Sequence, residues 1–162
     1  MSKPNTWRAL PRHRGQLDQL MGRPRVLIVD DQRYIRKSLS AFLQRRGYEV
    51  RTATRVDQAI DVVERAVCHL DAAILDIRLS GHRSGVEVLA HLRTDARWAS
   101  ALVLILTGAA LTSAEEDAIL CLGGYVFHKP EGYGVLADYL DALIDRSRSR
   151  AKMAHRSQSV RQ

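Results

Sequence analysis

The sequence predicts an α/β domain in which five parallel strands form one sheet with helices on both faces. Three observations carry this expectation. Short runs that are apolar at nearly every position recur along the chain, at Val26–Val29, Ala72–Leu75 and Ala101–Leu106; unbroken apolarity over a strand's length marks a strand covered on both faces. Between these runs lie stretches whose apolar residues repeat at the spacing of one helix face. Strand and helix signals then alternate from residue 25 to residue 146, which is the pattern of crossover connections and so of a parallel sheet.

The elements follow in order. Arg25-Val-Leu-Ile-Val-Asp30 is a β-branched run ending in acid, the first strand. From Gln32 to Arg46, Ile35, Leu39, Phe42 and Leu43 share one face, and Gly47 stands as the stop signal. Tyr48 to Ala53 is the second strand, and Val56 to Val67 a helix that turns Val56, Ala59, Ile60, Val63 and Val67 inward. Ala72-Ala-Ile-Leu-Asp76 is the third strand, followed by a polar loop with Gly81 and Gly85 and a helix over Val86–Arg93. Ala101–Thr107 is the most apolar strand and is expected at the centre of the sheet. Ser113 and Glu116 have the spacing of a capping box for a helix running to Leu122. Tyr125–His128 makes the last strand, and Tyr133–Arg146 the last helix, with Leu136, Leu140, Leu143 and Ile144 inward.

Composition narrows the function classes. The chain has 162 residues, 46% hydrophobic and 27% charged, enough for one cored domain with short extensions and unlike a disordered or fibrous chain. No run approaches a membrane span and the N-terminus lacks the apolar segment of a secretory signal, so a cytoplasmic protein with no membrane partner is expected. Cys68 and Cys121 are too few for a disulfide framework or a four-thiolate zinc site, and both are expected as reduced, partly buried thiols. The formal net charge of +7 points towards a polyanion until it is resolved by position. Residues 1–25 carry Lys3, Arg8, Arg12, Arg14, Arg23 and Arg25 against Asp18, and residues 145–162 carry Arg146, Arg148, Arg150, Lys152, Arg156 and Arg161 against Asp145. The stretch between them holds 13 basic and 16 acidic residues. The expected organisation is a basic arm over 1–24, a domain over 25–146, and a basic extension over 147–162, either helical continuation or disordered. Arginine-rich arms bind phosphate backbones without sequence readout, so non-specific nucleic-acid contact through them is an alternative function.

In a doubly wound sheet, function collects at the carboxyl ends of the strands. Here those ends hold Asp30-Asp31, Asp76, Thr107 and Lys129-Pro130. Each has a plain structural explanation taken singly: Asp31 as a helix N-cap, Asp76 as a strand-ending turn residue, Thr107-Gly108 as a turn. Together they read differently. Three carboxylates on one edge repel unless a cation neutralises them, and a hard divalent ion such as Mg²⁺ suits such ligands. A lysine and a hydroxyl beside them are the parts that hold a phosphoryl group, and a central carboxylate can carry it as nucleophile.

The residues Val-Leu-Ile-Val-Asp30-Asp31, Ile-Leu-Asp76-Ile, Ser84-Gly85-Val-Glu-Val-Leu, Ile-Leu-Thr107-Gly108 and His-Lys129-Pro130 resemble a response regulator receiver domain over roughly residues 25–144. The resemblance implies the (βα)5 flavodoxin-like receiver fold, with Asp76 accepting phosphate from a histidine kinase or histidine phosphotransfer protein. It implies Mg²⁺ held by Asp30, Asp31, Asp76 and the backbone carbonyl of Arg78. It further implies that Thr107 and Lys129 bind the phosphoryl oxygens, and that Pro130 follows a cis peptide bond. The first helix, with Arg33, Arg36 and Lys37, would dock the phosphodonor; otherwise its basic face is solvated surface. The last two helices and last strand would present the switched face to a downstream protein effector. The chain would act as a self-catalysed phosphoryl acceptor rather than a turnover enzyme, and as a stand-alone receiver; a phosphorylation-independent scaffold is the remaining alternative.

Three features depart from the family pattern. Ser80 stands where proline is frequent. Gly85 follows Asp76 by nine residues rather than eight, implying a longer loop. Val126 occupies the usual place of the aromatic switch residue, with Tyr125 one position earlier.

Overall fold

A computed structural model of the chain describes residues 22–66, 69–129 and 132–159. The elements are β1 (Arg25–Val29), α1 (Arg33–Arg45), β2 (Glu49–Ala53), α2 (Val56–Glu64), β3 (Ala72–Asp76), β4 (Arg78–Leu79), β5 (Arg83–Ser84), α3 (Gly85–Thr94), β6 (Leu102–Thr107), α4 (Ser113–Cys121), β7 (Tyr125–His128) and α5 (Gly132–Ser159). Five strands pair in parallel in the order β2-β1-β3-β6-β7. Side chains alternate across the pleat, so each interior strand feeds two cores. Leu27 and Val29 face α2, α3 and α4, whereas Val26 and Ile28 face α1 and α5. This two-sided burial is why β1 and β3 are apolar throughout.

The strand at the centre is β3, not β6. All five residues of β3 are buried, against five of six in β6, whose Leu102 is half-exposed. Both strands have neighbours on each side, and apolarity alone does not rank interior strands.

Several boundaries move for local reasons. Gly47 takes φ +91° and ends α1 as expected. Tyr48 belongs to the turn rather than to β2; its ring is buried and its hydroxyl donates to Asp141 of α5. The helix expected to reach Val67 ends at Glu64, and residues 67 and 68 lie outside the described residues. The capping box of α4 is Thr112 with Glu115, one residue before the expected Ser113 and Glu116. The amide of Glu115 donates to Thr112 Oγ1 at 3.3 Å, and the amide of Thr112 donates to Glu115 Oε2 at 2.8 Å. In this register Glu115 also reaches Arg78 of β4. Cys121 is exposed rather than partly buried, because Ile119 is the one buried side chain of α4.

The extra residue between Asp76 and Gly85 is taken up by a small hairpin. Arg78 pairs with Ser84 and Leu79 with Arg83, leaving Ser80, Gly81 and His82 as the turn. Gly81 and His82 both take positive φ, +78° and +57°. Gly85 closes the hairpin against β3. A Cβ there would lie 2.4 Å from the Asp76 carbonyl oxygen and 3.0 Å from Leu75 Cβ, so only glycine allows this approach.

α5 runs unbroken past residue 146. Arg148, counted above with the basic extension, is 6% exposed. It donates to Asp71 Oδ1 and Oδ2 at 2.8 and 3.1 Å and to the Gly22 carbonyl at 3.0 Å. Asp71 Oδ2 also accepts the Arg25 amide at 2.8 Å. The first turn of the extension is therefore tied to the amino-terminal end of β1.

Two substitutions test these contacts. Gly85→Ala forces the hairpin off β3 and should cost about 1–3 kcal/mol of unfolding free energy, read by urea titration. Arg148→Ala leaves the Asp71 carboxylate without its charged partner and should cost about 3 kcal/mol; a loss below about 1 kcal/mol would make the tie an ordinary surface pair.

Candidate functional site

The site forms because three strands end in step. Asp30 follows β1 directly, Asp76 is the last residue of β3, and Thr107 the last of β6; in the register Asp76 lies beside Leu106 and Thr107 beside His128. Lys129 follows β7. Sequence separations of up to about a hundred residues thus collapse onto one edge.

Asp30 and Asp76 are 2% and 4% exposed, and Thr107 is fully buried. Each of Asp30, Asp31 and Asp76 offers a carboxylate oxygen, and the three oxygens lie within 4.8 Å of one another. Among the described residues one cation enters this cluster: Lys129 Nζ stands 3.1 Å from Asp76 Oδ2 and 3.5 Å from Asp30 Oδ2.

The secondary bonds divide the roles. Asp30 Oδ1 accepts the Gln32 amide at 2.8 Å, and its backbone carbonyl accepts Arg36 Nη1 at 2.7 Å. Asp31 does not cap α1: the N-cap is Gln32, with no side-chain cap bond. Asp31 Oδ2 instead accepts Ser80 Oγ from the hairpin at 2.7 Å. The Arg78 amide approaches Asp76 Oδ1 at 3.4 Å. The Thr107 hydroxyl donates to the Ala109 carbonyl at 2.7 Å and accepts the Ala109 amide at 3.2 Å.

Electrostatics follow from burial and crowding. Desolvation raises the Asp30 pKa above its ordinary value, and the nearby Asp76 adds to the rise; the Gln32 amide and Lys129 oppose it without cancelling it. Desolvation would lower Lys129, but its bonds to Asp76 and Asp30 outweigh that and hold its pKa above the ordinary lysine value. The donor set suits a hard divalent cation: oxygen ligands only, carrying more negative charge than one lysine neutralises.

The family model of the response regulator receiver domain matches residues 26–141. The chain belongs to this family. It is 37% identical over 95 residues to the alginate biosynthesis transcriptional regulatory protein AlgB of Pseudomonas syringae, a match covering 59% of this chain and 20% of that protein. The chain therefore matches about a fifth of the length of that relative. It has the fold of a CheY-like receiver domain protein from Methanospirillum hungatei, with a TM-score of 0.72 at 24% identity, covering 79% of this chain and 98% of that one. It is also similar to the response regulator TrrA of Thermotoga maritima, solved in complex with Mg²⁺-BeF, with a TM-score of 0.63 at 29% identity, covering 74% and 98%.

The receiver brings Asp30, Asp31, Asp76, Thr107 and Lys129 to one edge. Pro130, and with it the expected cis peptide, lies outside the described residues. Tyr125 turns its ring edge-on against Tyr139 of α5, with centroids 6.2 Å apart, and Val126 beside it is exposed. Three site contacts were not legible in the sequence: Ser80 on Asp31, the Arg78 side chain on Glu115, and Arg36 on the Asp30 carbonyl. The first two join residues 49 and 37 positions apart, and no short-range pattern encodes them. Arg36 carries only the signal of a basic helix face.

The raised Asp30 pKa sets a pH dependence. A carboxyl that protonates more readily in the folded state than in the unfolded chain destabilises the fold when ionised, and relieves it as pH falls through the folded pKa. Without divalent cation, Asp30→Asn should raise the thermal midpoint at pH 7. That gain should shrink as the pH is lowered and the native Asp30 takes up its proton; a midpoint unchanged or lowered at pH 7 would contradict the assignment.

Proposed function

We propose that this receiver domain is a Mg²⁺-dependent phosphoacceptor switch. Its phosphodonor would be a histidine kinase or histidine phosphotransfer protein, and its output partner a downstream protein. The observation that carries the reading is the placement of Lys129 Nζ at 3.1 Å from a buried Asp76 beside two further carboxylates. A merely structural lysine has no need of such a setting.

Asp76 is the nucleophile. One carboxylate oxygen attacks the phosphorus of a phosphohistidine; the new O–P bond forms as the N–P bond breaks, and the imidazole leaves with the electron pair. Asp30, Asp31, Asp76 and the backbone carbonyl of Arg78 would hold Mg²⁺, which supplies positive charge against the phosphoryl oxygens. Lys129 is already in place to pair with another of those oxygens. Thr107 must first release the Ala109 carbonyl before its hydroxyl can donate to the phosphoryl group, so the α4 side of the site has a bonded resting arrangement to leave. Water attacking the phosphorus breaks the Asp76 O–P bond, releases inorganic phosphate and returns the carboxylate, so the domain acts once per phosphorylation and is a self-catalysed acceptor rather than a turnover enzyme.

The face formed by α4, β7 and α5 supports a protein as the reader of the switch: Leu120, Tyr125, Val126 and Val135 are all exposed there. Among the described residues no helix is long and apolar enough to cross a membrane, and a cytoplasmic site of action suits a kinase-fed switch. Of the basic residues in the second extension, Arg148 is spent on Asp71 inside the fold and is not offered to a polyanion.

With Mg²⁺ and acetyl phosphate, the chain should form an acid-stable, base-labile adduct detected by intact-mass spectrometry. Asp76→Ala should abolish it and Lys129→Ala should slow its formation by about a hundredfold. An adduct that persists in Asp76→Ala would overturn the reading.

A further inference from the structure

The contact that the acceptor chemistry leaves unexplained is the pair of Arg78 with Glu115. Arg78 is two residues past Asp76, its amide already against Asp76 Oδ1, yet its guanidinium points away to α4. There it binds Glu115 with both arms, Nη1 to Oε1 and Nη2 to Oε2, the latter at 3.1 Å. The same Glu115 carboxylate accepts the Thr112 amide and hydroxyl at 2.8 and 3.0 Å. One side chain thus closes the first turn of α4 and ties it to the acceptor loop.

Within α4 itself little else is buried. It buries only Ile119, and its far end is fastened by Arg93 Nε to the Leu122 carbonyl at 2.7 Å. Leu111 and Leu122, partly buried, pack on the core just before and after the helix, and the near end is further held by the Thr112–Glu115 box and by Arg78. The Arg78 side chain is exposed, and its long stem leaves the guanidinium within reach of more than one anion near its own backbone.

We propose that Arg78 is a charge-driven tie between the acceptor and α4: in the resting state it holds Glu115, and an anion on Asp76 draws the guanidinium away from Glu115 and frees the first turn of α4. The proposal rests on Asp76 being the phosphoacceptor. Phosphorylation takes Asp76 from one negative charge to about two and adds a bidentate target for a guanidinium, against one charge on Glu115. Arg78 therefore changes partner without leaving its place in β4. Glu115 keeps its bonds to Thr112 but loses its link to the loop. The cost of breaking the Arg78–Glu115 pair is then part of the cost of activation.

That cost is measurable by a double-mutant cycle on beryllofluoride affinity in the presence of Mg²⁺, followed by fluorine NMR. Glu115→Gln removes the competing charge yet keeps an acceptor for the capping box. In the wild-type background it should tighten beryllofluoride binding by about two- to fivefold, the range of an exposed pair. In an Arg78→Ala background the same substitution should change binding by less than about 1.5-fold, because the competition is gone. Equal tightening in both backgrounds would make Glu115 a plain long-range charge and overturn the tie; no change in the wild-type background would overturn it as well. An Asp76→Ala control separates the two levels: beryllofluoride that binds this variant as well as wild type overturns the acceptor assignment and the tie with it.

Discussion

Everything at this site follows from burying carboxylates together. Asp30 and Asp76 are almost removed from water with Asp31 beside them, and the chain offers the cluster one lysine. Mutual repulsion and desolvation make the arrangement costly, and the raised pKa of Asp30 is the mark of that cost. A domain whose core were built for stability alone would place a hydrophobic residue or a paired ion there. The fold keeps the excess negative charge, and oxygen ligands so crowded suit a hard divalent cation.

The rest of the structure holds that edge still. Parallel strands fed from two cores set the three acids in register, so their approach is imposed by backbone pairing and not by any attraction among them. The loop beyond Asp76 is braced by the hairpin of β4 and β5, by Ser80 on Asp31, and by the contact of Gly85 with the Asp76 carbonyl. By contrast α4 buries a single side chain of its own and is otherwise fastened at its two ends, by polar contacts and by the partly buried Leu111 and Leu122. Rigid strands thus hold the acids in place beside a helix that has less packing to lose than they do.

Charge composition alone does not say which basic residues face solvent. Two basic segments stand out in the chain, and contact with a polyanion through them is the alternative function. Arg148 shows that a basic residue counted there can be committed inside the fold. Its charge is cancelled by Asp71 within the fold, and its role is to fasten the start of β1 to a helix that continues well beyond the sheet.

The five-stranded parallel sheet, its alternation with helices, and the assembly of Asp30, Asp31, Asp76, Thr107 and Lys129 were legible in the chain. Apolar runs and helical periods encode strands and helices locally, and parallel pairing sends all strand ends to one edge. What only the tertiary structure decided were contacts between side chains distant in sequence and choices between equivalent local patterns. Thr112 with Glu115 and Ser113 with Glu116 have the same capping spacing; the first was selected, and in that register Glu115 also reaches Arg78. β3 and β6 are both apolar, and only strand order puts β3 in the middle. Local pattern sets which segments are strands and helices because burial follows a period along the chain; it is silent on which polar side chains meet, because that depends on where three-dimensional packing leaves them.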